Sequence, residues 1–157
     1  MNIISIIQTA LTALQSDAEL FLLERSRAEN EELNHESDVI VVYPDWTSSN
    51  EFNQALEIST NRTYNIDFKT PDEWDNSDDN LPTAYESLTS TDRIENMEKL
   101  ANSIFFYIAN NNDLWPEINR KPTWRVRNPI LRANNGTMSG VSIQLTINFK
   151  GEKVCQY

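Results

Sequence analysis

From Val141 to Lys150 apolar and polar residues alternate without a break: Val141, Ile143, Leu145, Ile147 and Phe149 against Ser142, Gln144, Thr146, Asn148 and Lys150. A period of two puts successive side chains on opposite faces of a strand, so one face must meet a core and the other polar surroundings. Asn134-Asn135-Gly136 precedes this stretch, and Asn-Gly accepts the positive φ values that a tight hairpin turn needs. The spacing predicts a C-terminal hairpin with arms at 123–133 and 139–150. Pro129 in the first arm marks an edge strand or a bulge, because proline donates nothing to a ladder.

Two stretches carry helical spacing instead. Ile3, Ile7, Leu11 and Leu14, joined by Ile4 and Ala10, form one stripe and predict a helix over 3–15. Ile94, Met97, Leu100, Ala101, Ile104, Phe105 and Ile108 form a second stripe over 92–110, with Thr91 or Asp92 as the cap and Phe106 and Tyr107 widening the apolar face. Val39 to Tyr43 is a β-branched run that should stop at Pro44. Residues 45–60 read as a loop with a turn of helix near Glu51 to Ile58, and Thr63 to Phe68 as a half-buried strand. Leu20 to Leu23 fits either a helix extension or a strand. Residues 70–90 show no hydrophobic period and read as a long acidic loop. The expected fold is a single α+β domain over 1–157: two helices on one face of a mostly antiparallel sheet, in the order helix, strand, strand, helix, hairpin.

The charge is strongly segregated. Residues 1–117 hold 6 Lys/Arg against 23 Asp/Glu, and residues 118–157 hold 7 Lys/Arg against one acid, Glu152, so regions of −17 and +6 make up the net −11. A chain this acidic repels nucleic-acid backbones except at a local basic patch. An acidic side and a basic side on one molecule favour head-to-tail association, which closes rings or extends filaments. The candidate contact residues are the basic Arg120, Lys121, Arg125, Arg127 and Arg132 with Trp124, and the acidic Asp72, Glu73, Asp75, Asp78 and Asp79 of the loop.

Catalytic constellations are scarce. One cysteine, Cys155, and one histidine, His35, nearly exclude nucleophile–base pairs and cysteine-based zinc sites. Three glycines leave little room for a phosphate-cradling loop. The acidic run Asp75 to Asn80 lacks the sixth-position glycine of a calcium-binding loop, so no metal and no cofactor are expected. One pattern remains: Pro44-Asp45 followed by Asp67-Phe68-Lys69 has the spacing of metal-dependent nucleases. In those enzymes two carboxylates on adjacent strands hold magnesium and a lysine stabilises the attacking water or the phosphate. No basic segment precedes the apolar start, so no secretory signal is expected. The longest apolar run, Ile104 to Ala109, is too short to cross a bilayer.

In size and element order the chain resembles the small tail-terminator and head–tail joining proteins of tailed bacteriophages. Arg93-Ile94-Glu95-Asn96-Met97-Glu98-Lys99-Leu100 and the segment from Asn128-Pro129-Ile130-Leu131 through Ser139-Gly140-Val141 are similar to proteins of phages of gut bacteria, of the crAss-like kind. The resemblance covers nearly the whole chain. It implies a non-enzymatic virion protein that forms a ring of identical subunits at the head–tail junction or tail. Portal, neck or tail proteins would be its neighbours, and DNA only cargo passing through a channel. It implies assembly in the host cytoplasm and no catalytic residues. A nuclease-like enzyme using Asp45, Asp67 and Lys69, and a generic protein-binding adaptor, are the alternatives.

Overall fold

A computed structural model describes residues 3–24, 37–52, 57–71, 90–111, 118, 120–133 and 138–153. The elements are α1 (Ile3–Ala13), β1 (Glu19–Leu22), β2 (Val39–Phe52), β3 (Glu57–Pro71), α2 (Ser90–Asn110), β4 (Thr123–Ala133) and β5 (Met138–Lys153). The strands form one five-stranded sheet in the order β1-β2-β3-β5-β4. Only β1 and β2 run parallel; the other pairs are antiparallel. The expected α+β class with a mostly antiparallel sheet holds, with one strand more than expected, because Glu19 to Leu22 resolves as a strand and not as a helix extension.

Both helices cover the same face of the sheet. Ile3, Ile6, Ile7, Ala10 and Leu11 of α1 and Met97, Ala101, Ile104, Phe105 and Ile108 of α2 pack on Ile40, Val42, Ile66, Phe68, Val141, Ile143, Leu145 and Ile147. The expected alternation of β5 is thus realised, with its odd-numbered apolar residues on the helix side. At roughly 25 cal/mol per Å2 of apolar surface removed from water, this face supplies most of the driving force for folding. A smaller cluster, Val39, Val41, Tyr43 and Met138, lies on the opposite face.

The helix ends differ from the sequence expectation. α1 stops at Ala13, and Gln15 takes φ 55°, the left-handed conformation that closes a helix. The amide of Ser16 donates to the carbonyl of Leu11 at 3.0 Å, and that of Gln15 to Thr12 at 3.2 Å, which satisfies two carbonyls of the last turn. Leu14 lies past that stop and is exposed. α2 starts at Ser90, which puts Asp92 inside its first turn, where the helix dipole favours a negative charge, and not at the cap. Phe106 is 66% exposed, so the apolar face does not wrap around that end as expected.

Pro44 does not end its strand. Val42 pairs with Ile66 and Trp46 with Tyr64, and the irregularity between them absorbs Pro44 in a bulge. β1 pairs with β2 only as far as Val42, so beyond that point β2 has no neighbour on its outer side among the described residues and proline costs no ladder bond there. The segment expected as a loop with a helical turn is therefore the long β2–β3 arm, with Trp46 to Phe52 paired to Ile58 to Tyr64. Likewise Thr70 and Pro71, at the start of the expected acidic loop, belong to β3; the rest of that loop lies outside the described residues.

Asp38 ties three strands together at one end of the sheet. Its backbone carbonyl accepts from the amide of Glu19 at 2.8 Å, and its carboxylate accepts from the Thr70 hydroxyl at 2.7 Å. Burial raises the pKa of this carboxyl above its ordinary value, and the Thr70 hydrogen bond offsets part of that rise. An acid raised in the folded state weakens folding once pH passes the unfolded carboxyl value and the unfolded chain ionises more readily. Asp38→Asn keeps an acceptor for Thr70 and removes that burden. The variant should melt at a higher temperature than the parent at pH 7, with the difference shrinking as pH falls towards about 4 and absent below it. Thermal unfolding followed by circular dichroism at several pH values checks this.

Candidate functional site

The nuclease-like trio is only partly brought together. Asp67 and Lys69 do share the sheet face opposite the helices, as period two requires, but both are buried, at 8% and 1% exposure. The hydroxyl of Tyr43 donates to Asp67 Oδ2 at 2.5 Å, while Asp67 Oδ1 is buried without a hydrogen-bond partner. Asp45 sits in the bulge of β2, and its side chain lies outside the described residues. Among the described residues no three His, Cys, Asp or Glu side chains gather to hold a metal. Tyr43 covers Asp67, and Asp67 and Lys69 are both shut away from solvent, so neither presents its charge to a phosphate.

The basic candidates fall on or just before β4, at one end of the sheet. Arg120 forms an ion pair with Glu51 at 3.5 Å and donates to Asn61 Oδ1 at 3.1 Å, which ties the approach to β4 onto the β2–β3 arm. Both partners of that ion pair are solvent-exposed, so it adds little stability. Lys121 donates to Asn110 Oδ1 at 3.2 Å at the end of α2. Arg125 donates to Gln144 Oε1 at 2.9 Å on the face away from the helices. Arg127 is exposed, at a break in the β4–β5 register, and makes no hydrogen bond or ion pair among the described residues. The backbone of Arg132 lies in β4, and its side chain is outside the described residues.

Trp124 points the other way, into the protein. Its ring packs on Phe105 at 5.5 Å between centroids, and its indole N–H donates to Asn102 Oδ1 at 2.8 Å. It anchors β4 to α2. The acidic candidates Asp72, Glu73, Asp75, Asp78 and Asp79 lie outside the described residues, as do His35 and Cys155.

A second feature escaped the sequence reading. Between the start of α1, the end of β1 and the β2 bulge lies a cleft of about 230 Å3, lined by Ile3, Leu22, Pro44, Trp46, Arg62 and Tyr64 among others. The Arg62 guanidinium stands 4.8 Å from the Trp46 ring centroid and 5.4 Å from that of Phe149. Cations over aromatic rings are held at roughly 0.5–1 kcal/mol each when exposed. Only the bulge brings Trp46 opposite Tyr64, and no periodic signal around Pro44 foretold that pairing.

No helix among the described residues is long and apolar enough to cross a membrane. Comparison with protein-family models and with curated proteins gives no match.

Proposed function

We propose that this chain is a structural protein whose work is self-assembly into a ring, in the manner of the tail-terminator and head–tail joining proteins of tailed phages that its layout resembles. The observation that carries the reading is where the molecule leaves apolar surface uncovered. Seven large apolar side chains stand exposed among the described residues, and five of them, Leu22, Trp46, Phe52, Val126 and Leu131, lie on β1, β2 and β4. Those are the strands with an open side. Uncovered apolar groups collected along sheet margins are sites where another polypeptide docks. The charge split supports the same reading, because Arg120, Lys121, Arg125, Arg127 and Arg132 lie on or just before β4 while, among the described residues, Asp17 and Glu24 flank β1 at the opposite edge.

In this reading the protein is a component of the virion at the head–tail junction or tail. Its neighbours are copies of itself and portal, neck or tail proteins, and DNA passes as cargo. The test is solution mass. Size exclusion with light scattering at about 100 µM detects any contact worth more than ~5.5 kcal/mol. The expected result is a discrete homo-oligomer. A strict monomer, alone and mixed with the products of neighbouring genes, would remove the ring.

A further inference from the structure

We infer that copies of this chain join head to tail through their sheet edges, with β4 of one copy pairing antiparallel on β1 of the next. This deepens the ring reading and rests on it. The first argument is strand direction. β1 and β2 point one way, β3 the other, β5 back again and β4 opposite to β5, so β4 runs antiparallel to β1 within one sheet. Two copies set side by side in the same orientation therefore bring β4 against β1 as an antiparallel pair, the commoner type of strand pairing. Among the described residues no strand lies beyond either edge.

The side chains match across such a joint. Leu20 pairs with Ile40 and Val126 with Ile143, which places Leu20, Leu22 and Val126 on the helix face. Leu22 and Val126 are both exposed in the isolated chain, and the joint would cover each with the other's margin. Arg125, opposite Gln144, stands on the other face, and exposed Arg127 sits at the break beside it. Among the described residues the β1 end offers the opposite charge: Asp17 just before the strand and Glu24 just after it are both exposed, and Glu19 lies in the strand itself. Opposite charges across an interface set its orientation and speed encounter.

The same charges act against the competing symmetric joint. Pairing β4 on β4 would set Arg125 and Arg127 against their own copies, and like charges directly opposite destabilise a strand pair. Pro129 removes one donor from the outer half of β4, which leaves Thr123 to Asn128 as the stretch that can accept a partner. β1 is four residues long and needs no more than that. A joint of this kind is heterologous, each copy using a different surface on either side, and it closes into a ring wherever the rotation per copy divides a full turn.

Charge exchange tests the joint. One variant carries Arg125→Glu with Arg127→Glu; the other carries Asp17→Lys with Glu24→Lys. Each alone has like charges at both ends and should self-associate about tenfold more weakly than the parent, or worse. Mixed in equal amounts, the two present opposite charges wherever they alternate, and association should return in sedimentation velocity. Three results would overturn the inference. If both variants assemble like the parent, the ring stands and this joint falls. If each dissociates and the mixture stays dissociated, the charges act elsewhere and the joint again falls. If the parent itself is monomeric, the ring reading and the joint fall together. Circular dichroism verifies that the variants fold; if charge reversal unfolds either one, Arg125→Gln with Arg127→Gln and Asp17→Asn with Glu24→Gln replace them. Each neutral pair should then weaken association, and unchanged mass in both would sink the joint.

Discussion

Gly140→Ala should cost about 3 kcal/mol or more, lowering Tm by about 10 °C, although it adds a single methyl group to a strand. Gly140 lies in β5 opposite Lys69 and beside Ile130 of β4, so main chain flanks it on both sides. A Cβ built there collides with the carbonyl oxygen of Phe68 and comes within 2.8 Å of its carbonyl carbon. Those are backbone atoms of a central strand, and no side-chain rotation relieves them. The two strands must move apart, and the Phe68 side chain, fully buried in the main core, must follow. Urea titration monitored by circular dichroism measures the loss. A change under 1 kcal/mol would mean that β3 and β5 are not held this closely.

The second large effect separates two adjacent phenylalanines. Phe105 is fully buried, edge-on to Phe68 at 5.8 Å and tilted against Trp124 at 5.5 Å. Phe105→Ala removes a ring from a filled site and leaves a cavity, which costs roughly 3–5 kcal/mol. Part of that is the loss of two aromatic pairs, each worth about 0.5–1.5 kcal/mol beyond area. Phe106 is exposed, and Phe106→Ala should alter stability by no more than about 0.5 kcal/mol. Chemical denaturation of the two single variants decides it. Equal losses would mean that α2 is rotated about its axis from the orientation described.

These two residues also show what the sequence could reveal. The stripe from Ile94 to Ile108 sets the buried face of α2 to within one residue, because a helix of 21 residues repeats its pattern often enough to fix a phase. Near the C-terminal end Phe105, Phe106 and Tyr107 are all apolar, and the pattern no longer says which ring faces outward. β5 was equally legible from Val141 to Phe149, where each apolar residue meets the same core. The arm from Trp46 to Phe52 was not: Thr47, Ser48, Ser49, Asn50 and Glu51 are polar on both faces and exposed on both. A strand held by its ladder to β3 and by polar side-chain contacts leaves no hydrophobic period to read. For the same reason the cleft around Arg62 was invisible, because it depends on where that arm emerges. The burial of Asp67 and Lys69 was out of reach too: their shared face follows from their spacing, but whether that face is wet depends on what lies over the sheet.

The bulge in β2 has a further consequence. Between the Val42–Ile66 pair and the Trp46–Tyr64 pair, β2 advances four residues while β3 advances two. The surplus is an even number, so Trp46 returns to the side that Val42 faces. Paired residues share a face, so the ladder to Tyr64 and Ile58 holds Trp46 and Phe52 on that side and Trp46 within reach of Arg62. Losing two residues at Tyr43-Pro44-Asp45 would therefore bring β2 level with β3 and straighten the ribbon, while the side that Trp46 and Phe52 face stays as their partners on β3 set it.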